Sequence, residues 1–273
     1  MHRLGFPLLF TVALSAAAAP VQIVAHRGAS FEAPENTLAA QRLAWRQGAD
    51  AVETDIHLTK DRGVIVIHDA TVKRTTGAPG AIAELTLAEV RRLDAGTWKA
   101  PQFAGEKLPL LAEQLAEIPA GKRIFVEIKI GPEIVPELKQ VLAAARADER
   151  TVTVISFNYE SLKAVRRQLP KLPTQYLVGF KAPDPKAEPN PKAKKQPTLG
   201  EVIAQAKAAK LTGLDLQHTW PLTKDDVARI RAAGLELHVW TVDDVAVAQR
   251  WIGLGVDSIT TNRPAWLREQ LKL

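Results

Sequence analysis

The sequence predicts an α/β protein, a single-domain TIM (β/α)8 barrel with a small insertion between the second and third strands. Short apolar runs rich in Val and Ile alternate with helical patterns over about 250 residues, which favours a parallel sheet covered by helices. Eight such runs fit one closed barrel. Polar residues stand where several runs end, which is where such barrels carry their function. A doubly wound open sheet is the alternative, since periodicity alone does not show closure.

The strands are predicted from β-branched, apolar runs of four to eight residues. The first run, "QIVA", leads directly into a histidine, an arginine and a glycine. The eight predicted strands are Gln22–Ala25, Ala51–Ile56, Ile124–Ile128, Thr151–Ile155, Thr174–Val178, Gly213–Leu216, Leu235–Trp240 and Ser258–Thr261.

Helices are predicted between these strands from apolar residues at helical spacing. The predicted helices are Thr37–Gln47, Glu133–Ala147, Tyr159–Gln168, Leu199–Ala209, Lys224–Ala233 and Val245–Trp251.

Two stretches interrupt the alternation. The segment after the second strand is too long for a simple connection, so we expect an extra strand at Val64–Ile67 and an insertion at about 69–109 with a short helix near Leu87–Leu93. Residues 181–197 are rich in Pro, Lys and Ala and have little to bury, which predicts a mobile loop. This loop is either an inert spacer or a basic lid that attracts anions.

The first 19 residues have the pattern of a cleaved signal peptide. Arg3 precedes an apolar stretch, and small residues follow up to Ala19. We expect cleavage near Ala18, a barrel domain over 20–273 and a periplasmic or secreted protein. An uncleaved anchor is the alternative, although the apolar stretch is short for a bilayer span, so stable membrane insertion is not expected.

Composition excludes several functions. The chain has 273 residues, a formal net charge of +6 and no cysteine, so disulfides, thiolate metal sites and a cysteine nucleophile are excluded. The mild positive charge suits an anionic small molecule or simple solubility. No dense basic block with interleaved aromatic residues occurs, so a nucleic-acid partner is not expected. The sequence leaves the oligomeric state open.

Three carboxylates on neighbouring strands predict a metal site. Glu53 and Asp55 are two positions apart on one strand and therefore face the same way, and Glu127 lies on the next. An all-oxygen set of this kind suits one hard divalent metal ion, Ca²⁺ or Mg²⁺. The alternative is that these groups face solvent or pair with Arg27 and Lys129.

Two histidines flank this carboxylate pair in the sequence, His26 at the end of the first strand and His68 at the end of the extra strand. Because histidine titrates near neutral pH, one ring can accept a proton and the other can donate one. With a metal ion and Arg27 to hold negative charge, this equipment suits cleavage of a phosphodiester.

The motifs together resemble the glycerophosphodiester phosphodiesterase family. They run in order from residue 23 to about residue 264: "HRGAS", "APENTLAA", "GADAVETDIHLTKDRGVIVIHDATVKRTT", "LTLAEVRRLDAG", "VEIK", "ISFN", "VWTVDD" and "GVDSITTNRP". The resemblance implies a TIM barrel that uses a divalent metal to cleave a small-molecule glycerophosphodiester into glycerol 3-phosphate and an alcohol.

The resemblance also implies a role for each matching residue. It makes Glu53, Asp55 and Glu127 the metal ligands, His26 and His68 the acid/base pair, Arg27 and Lys129 phosphate-binding residues, and Trp240 a residue near the glycerol. An ordinary core aromatic is the alternative for Trp240.

Several neighbouring residues are expected to support this site. Asp69 is expected to orient a neighbour, Glu35 to hold Arg27, and Asn36 or Thr37 to cap the first helix. His57, His218 and His238 are weaker candidates for substrate contact. Asn262 stands where the family commonly has Asp, and Asp243 and Asp244 where it usually has Asn, which we expect to affect only fine substrate positioning.

Several questions stay open at the level of sequence. Attack by a glycerol hydroxyl through a cyclic phosphate and direct attack by water are both compatible with the residues, and either histidine can act first. A phospholipase acting on lysophospholipids or sphingolipids shares the same core residues. A non-catalytic phosphodiester-binding module is the third alternative, although such a module needs no proton-transfer pair.

Overall fold

The computed structural model describes residues 20–181 and 196–273. The predicted signal peptide and nearly all of the predicted loop at 181–197 lie outside the described residues. Within the described ranges, no helix combines the length and the apolar character that a membrane crossing requires.

Eight parallel strands close into a barrel, as predicted. β1 pairs with β2 on one side and with β9 on the other, so that Val24 lies opposite both Ala51 and Thr260. This closure excludes the open sheet. An additional strand, β3, pairs antiparallel with β2. The strands are β1 Gln22–Ala25, β2 Ala51–Leu58, β3 Val64–Val66, β4 Arg123–Ile128, β5 Val152–Ser156, β6 Thr174–Val178, β7 Gly213–Gln217, β8 Glu236–Trp240 and β9 Ser258–Thr261.

Helices follow the strands and cover the barrel. They are α1 Leu38–Arg46, α2 Lys73–Thr76, α3 Leu87–Val90, α4 Leu111–Ala116, α5 Val135–Ala144, α6 Tyr159–Gln168, α7 Leu199–Ala208, α8 Lys224–Ala232, α9 Val245–Leu254 and α10 Pro264–Leu271. The sequence did not predict α2, α4 or α10, and the short helix predicted near Leu87–Leu93 is the single turn α3.

The segment after β3 forms a small core together with that strand. Ile82, Val90 and Leu108 of the segment are buried against Ile65 of β3. This cluster packs α3 and the surrounding turns beside β3, on the side of the barrel where the strands end. The segment thereby presents His68 and the short helix α2 next to the barrel mouth.

A tight turn at the end of β1 orients the first functional residues. Arg27 adopts a left-handed backbone with φ of 53°, and Gly28 follows with φ of 80°. A Cβ atom at Gly28 would lie 2.6 Å from the backbone of Ala40, so only glycine fits between this turn and α1. Thr37, rather than Asn36, caps α1, because its side chain accepts a hydrogen bond from the amide of Ala40.

Candidate active site

A cavity of about 160 Å³ opens at the carboxyl-terminal ends of the barrel strands. Of the eight predicted site residues, all except Asp55 line it, and Asp55 lies beneath the surface beside the other carboxylates. The lining residues are His26, Arg27, Glu53, His68, Glu127, Lys129, Ile155, Phe157, Leu177, Asp215, Trp240, Thr241 and Thr260.

The three predicted metal ligands form a compact cluster. One oxygen each from Glu53, Asp55 and Glu127 lies within 4.8 Å of the others, and all three residues are buried. Oε1 of Glu53 and Oδ1 of Asp55 have no hydrogen-bond partner among the described residues. Buried carboxylate oxygens without partners are costly, and a hard divalent cation is the ligand that such a set fits.

Two cations lie beside these carboxylates. Nζ of Lys129 is 2.6 Å from Oε1 of Glu127 and 3.4 Å from Oδ1 of Asp55. Nε of Arg27 is 3.2 Å from Oδ2 of Asp55. The backbone amide of Arg27 donates a hydrogen bond to Oε2 of Glu53 at 2.9 Å. The alternative interpretation of the sequence, in which the carboxylates pair with Arg27 and Lys129, is thus also observed. The same carboxylates nevertheless keep the spacing of a metal site.

The electrostatics differ among the three carboxylates. Burial, followed by the negative charges of Asp55 and Glu127, raises the pKa of Glu53 well above its ordinary value. Burial and Asp55 also raise the pKa of Glu127 to about 7, although Lys129 opposes this. Burial would raise the pKa of Asp55 too, but Arg27 and Lys129 outweigh it and hold this pKa below its ordinary value. The two cations, Arg27 and Lys129, do not balance the three adjacent carboxylates, and a divalent ion would supply the missing positive charge.

Asn36 holds Asp55 in place. Its side-chain amide donates to Oδ2 of Asp55 at 2.8 Å, and its carbonyl oxygen accepts from the Asp55 amide at 3.2 Å. Asn36 is 2% exposed and has a left-handed backbone with φ of 60°. It therefore orients a predicted metal ligand instead of capping α1.

Hydrogen bonds fix the ring of His26. Its Nδ1 atom lies 2.7 Å from Oδ1 of Asn262, which also accepts from the hydroxyl of Ser30. The Asn262 amide nitrogen donates to Oδ2 of Asp243, so the carbonyl oxygen is the atom that faces His26. An accepting oxygen at Nδ1 requires the proton on Nδ1 and leaves the Nε2 lone pair free. Burial, and next the charge of Arg27, lowers the pKa of His26 to about 4.

His68 has a different partner. Its Nδ1 atom lies 2.7 Å from Oδ1 of Asp69, so the ring donates to a carboxylate. His57 supports the same residue from below, since its Nε2 atom lies 3.1 Å from the carbonyl oxygen of His68. His57 thus contacts His68 and is not part of the cavity lining.

A chain of ion pairs connects His68 to Arg27. Arg74, on α2, donates to both oxygens of Asp69 and to both oxygens of Glu35 at 2.7 to 3.1 Å. Glu35 in turn accepts from Nη1 of Arg27 at 2.9 Å. Hydrogen bonds from Arg74, and then from His68, lower the pKa of Asp69. Arg74 therefore bridges the two sides of the cavity mouth.

Apolar side chains also line the cavity. Ile155 and Leu177 are two of them. The rings of Phe157 and Trp240 meet edge to face with centroids 5.4 Å apart. Trp240 is therefore a wall residue of the cavity as well as a neighbour of the barrel core.

The structure corrects some weaker expectations from the sequence. His238 and His218 do not line this cavity. His238 lies deeper in the barrel and is hydrogen-bonded to Ser258 and Gln175. Asn262, which was expected to affect only fine substrate positioning, contacts His26 directly. Sequence reading assigned no role to Arg74, although "HDATVKRTT" contains it.

The chain matches the model of the glycerophosphoryl diester phosphodiesterase family over residues 26–266. It belongs to this family. A glycerophosphodiester phosphodiesterase of Caldanaerobacter subterraneus is 34% identical over 252 residues, which cover 90% of this chain and 95% of that protein. One from Bacillus subtilis is 32% identical, with 88% and 83% of the two chains covered.

Solved structures agree with this family membership. A phosphodiesterase of Oleispira antarctica, solved in complex with the product sn-glycerol-3-phosphate, is 28% identical with a TM-score of 0.79, and the match covers 92% of this chain and 97% of that chain. A glycerophosphodiester phosphodiesterase from Agrobacterium tumefaciens is 27% identical with a TM-score of 0.74, covering 92% and 100%. The enzyme class predicted from the sequence is thereby confirmed.

Proposed function

We propose that this phosphodiesterase is a metal-dependent enzyme that hydrolyses glycerophosphodiesters to glycerol 3-phosphate and an alcohol, with His26 and His68 as the proton-transfer pair. The observation that supports this most is that both histidines, the buried carboxylate cluster and two cations line or adjoin a single cavity. The family match and the product bound in the relative from Oleispira antarctica support the substrate class.

Glu53, Asp55 and Glu127 are the residues that would hold the divalent ion, Ca²⁺ or Mg²⁺. Two of their oxygens, Oε1 of Glu53 and Oδ1 of Asp55, accept no hydrogen bond from the described residues, and the closely spaced carboxylates fit a hard cation. When bound, such an ion polarises a phosphoryl oxygen and stabilises the charge that develops in the transition state. The guanidinium of Arg27, held by Glu35 and Asp55, is placed to bind the phosphate oxygens from the same side.

The hydrogen bonds of the two histidines suggest different roles. His26 carries its proton on Nδ1, toward Asn262, and therefore offers Nε2 as a base that removes a proton from the attacking hydroxyl. His68 donates from Nδ1 to the Asp69 carboxylate, which fixes the ring with Nε2 directed away from Asp69. We assign His68 as the acid that protonates the departing alcohol, because His26 is assigned as the base. The attacking hydroxyl is that of the glycerol arm or of water.

The defining experiment measures glycerol 3-phosphate released from glycerophosphocholine, with purified enzyme, before and after removal of divalent ions by a chelator. We expect release that is lost with the chelator and restored by Ca²⁺ or Mg²⁺. His26→Ala and His68→Ala should each lower kcat by at least about 100-fold while the thermal transition remains. Absence of release with every divalent ion tested would contradict the proposal.

Export is a part of this proposal that depends on the sequence of residues 1–19 alone. Fractionation of cells that express the full chain, followed by N-terminal sequencing of the mature protein, tests it. We expect a periplasmic or secreted protein that begins near Pro20. Recovery of the uncut chain in the cytoplasm would contradict export without affecting the enzymatic proposal.

An exposed aromatic rim favours a second candidate activity, hydrolysis of lysophospholipids. Phe31 and Trp98 are 56% and 40% exposed, and they line a shallow cavity together with Arg27 and Lys99. An acyl chain could rest on such a rim while the phosphodiester lies at Arg27. Activity on lysophosphatidylcholine that falls in Phe31→Ser and Trp98→Ser, with glycerophosphocholine activity unchanged, is the result that supports this candidate.

A further inference from the structure

One carboxylate in the cavity takes no part in the mechanism above. Asp215, on β7, is 2% exposed, yet its side chain lines the cavity. Its Oδ1 atom is buried and has no hydrogen-bond partner among the described residues. Burial raises the pKa of Asp215 to about 7. A buried carboxyl group without a partner destabilises a fold, so its presence in a substrate cavity points to a ligand.

The nearest basic side chain on the adjacent strand is already engaged. His238 lies opposite Asp215 in the β7–β8 register, but its Nδ1 atom lies 2.6 Å from the hydroxyl of Ser258 and its Nε2 atom 2.6 Å from the side-chain nitrogen of Gln175. On the other side, β6 places the apolar Leu177 opposite Asp215. Neither neighbouring strand therefore supplies a hydrogen-bond donor to the Asp215 carboxyl group.

The position of Asp215 indicates which part of the substrate it meets. In the proposed function the phosphate lies at Arg27 and Lys129, which line the same cavity. Asp215 lines the cavity from β7, next to Trp240, whose Nε1 donates to the backbone carbonyl of Asp215 at 3.1 Å. All glycerophosphodiesters share the glycerol arm, and its hydroxyl groups are the donors that this carboxyl group lacks.

We propose that Asp215 is a specificity-determining residue that binds the free hydroxyl groups of the glycerol arm. This inference rests on the proposed function. Each hydroxyl can donate a hydrogen bond to the Asp215 carboxyl group where it lines the cavity, and the ring of Trp240 lies beside the carbon atoms of the arm. A substrate analogue whose arm lacks hydroxyl groups would leave the Asp215 carboxyl group buried without a hydrogen bond. This cost lowers the preference of the enzyme for such an analogue.

Two chromogenic diesters that differ only in the terminal hydroxyl test the inference: glyceryl p-nitrophenyl phosphate and 2-hydroxypropyl p-nitrophenyl phosphate, which keeps the hydroxyl that can attack the phosphorus atom. The wild-type enzyme should prefer the glyceryl ester in kcat/KM by roughly 10- to 100-fold. Asp215→Leu should abolish this preference by slowing the glyceryl ester more than the 2-hydroxypropyl ester. Asp50→Asn, at the opposite end of the barrel, is the matched control and should keep the wild-type ratio.

A preference that survives in Asp215→Leu would overturn the inference. So would a loss confined to glycerophosphocholine, with glycerophosphoglycerol hydrolysed normally, because that result would make Asp215 a site for a cationic head group. If Asp215→Leu does not fold, Asp215→Ala carries the same expectation.

Binding measurements separate this inference from the proposed function. Calorimetry with glycerol 3-phosphate and propyl phosphate does not depend on turnover. If the enzyme cleaves neither diester but still binds glycerol 3-phosphate more tightly through Asp215, the proposed function fails and the subsite stands. Equal binding of the two phosphates by the wild-type enzyme would overturn the subsite alone.

Discussion

His26 and Asn262 lie 236 positions apart in the chain, and the Nδ1 atom of one lies 2.7 Å from the Oδ1 atom of the other. The contact forms because β1 and β9 are neighbours in the closed barrel, which brings the two chain ends together at one face. Asp243 fixes the Asn262 amide from the loop after β8. Three strand ends thus determine which nitrogen of His26 carries its proton.

Asn262→Leu should therefore lower kcat by roughly 10- to 100-fold, because the ring of His26 loses the acceptor that holds its proton on Nδ1. The change should leave the Kd for glycerol 3-phosphate nearly unaltered. Steady-state kinetics on glycerophosphocholine and calorimetry with the product make the two measurements. In a His26→Ala background the second change should have no further effect on kcat, and an additive loss would show that Asn262 acts elsewhere.

Arg74 gives a second prediction, because it holds both Asp69 and Glu35 and so joins His68 to Arg27. Arg74→Met removes this bridge while keeping much of the side-chain volume. We expect kcat/KM for glycerophosphocholine to fall about 10-fold or more. The loss should appear partly in KM, since Arg27 loses the orientation of its Glu35 partner.

Arg62→Met is the control for Arg74→Met. Arg62 also forms an ion pair with a glutamate, Glu137, but this pair lies on the exposed surface. Because the partners of the Arg62 side chain, Glu137 and Glu133, do not line the cavity, kcat/KM should change by less than about twofold. An equal loss in both variants would indicate a general effect of charge on the enzyme rather than the bridge at the cavity mouth.

The strands, and the candidate site residues that group around one cavity, could be predicted from the sequence because they follow local rules. Glu53 and Asp55 stand two positions apart on a strand, and a period of two places them on one face. Arg74 and Asn262 follow no such rule. Their partners come from distant segments, so only the closed barrel and the segment after β3 bring them into contact. Asn36 shows the same limit, since its place before a helix suggested a cap while its side chain holds Asp55.

Asp215 was not predicted for a related reason. The local sequence around a single Asp on a strand does not show whether its side chain will have a hydrogen-bond partner in the folded protein. That the ring nitrogens of His238 contact Ser258 and Gln175, and form no hydrogen bond to Asp215, depends on packing among several strands. Short helices such as α4 also escaped prediction, because four to six residues give too little periodicity to recognise.

The raised pKa of Glu127 gives a prediction about pH in the absence of metal. A carboxyl group with a folded-state pKa of about 7, above its ordinary 4.5, binds protons more tightly in the folded than in the unfolded protein. Its contribution to stability is therefore present below pH 4.5 and is lost as the pH rises toward 7. In a chelator, the melting temperature of the wild-type protein relative to Glu127→Gln should fall as the pH increases from 5 to about 8.

Metal should reverse this trend, because a divalent ion binds the deprotonated carboxylates and competes with the proton on Glu127. The Kd for Ca²⁺ or Mg²⁺, measured by calorimetry, should decrease as the pH rises from about 6 to 8, and saturating metal should raise the melting temperature most at the higher pH. In Glu127→Gln the binding should be weaker and its pH dependence smaller. A Kd that is independent of pH in the wild-type protein would show that Glu127 is already deprotonated at pH 6 or does not contact the ion.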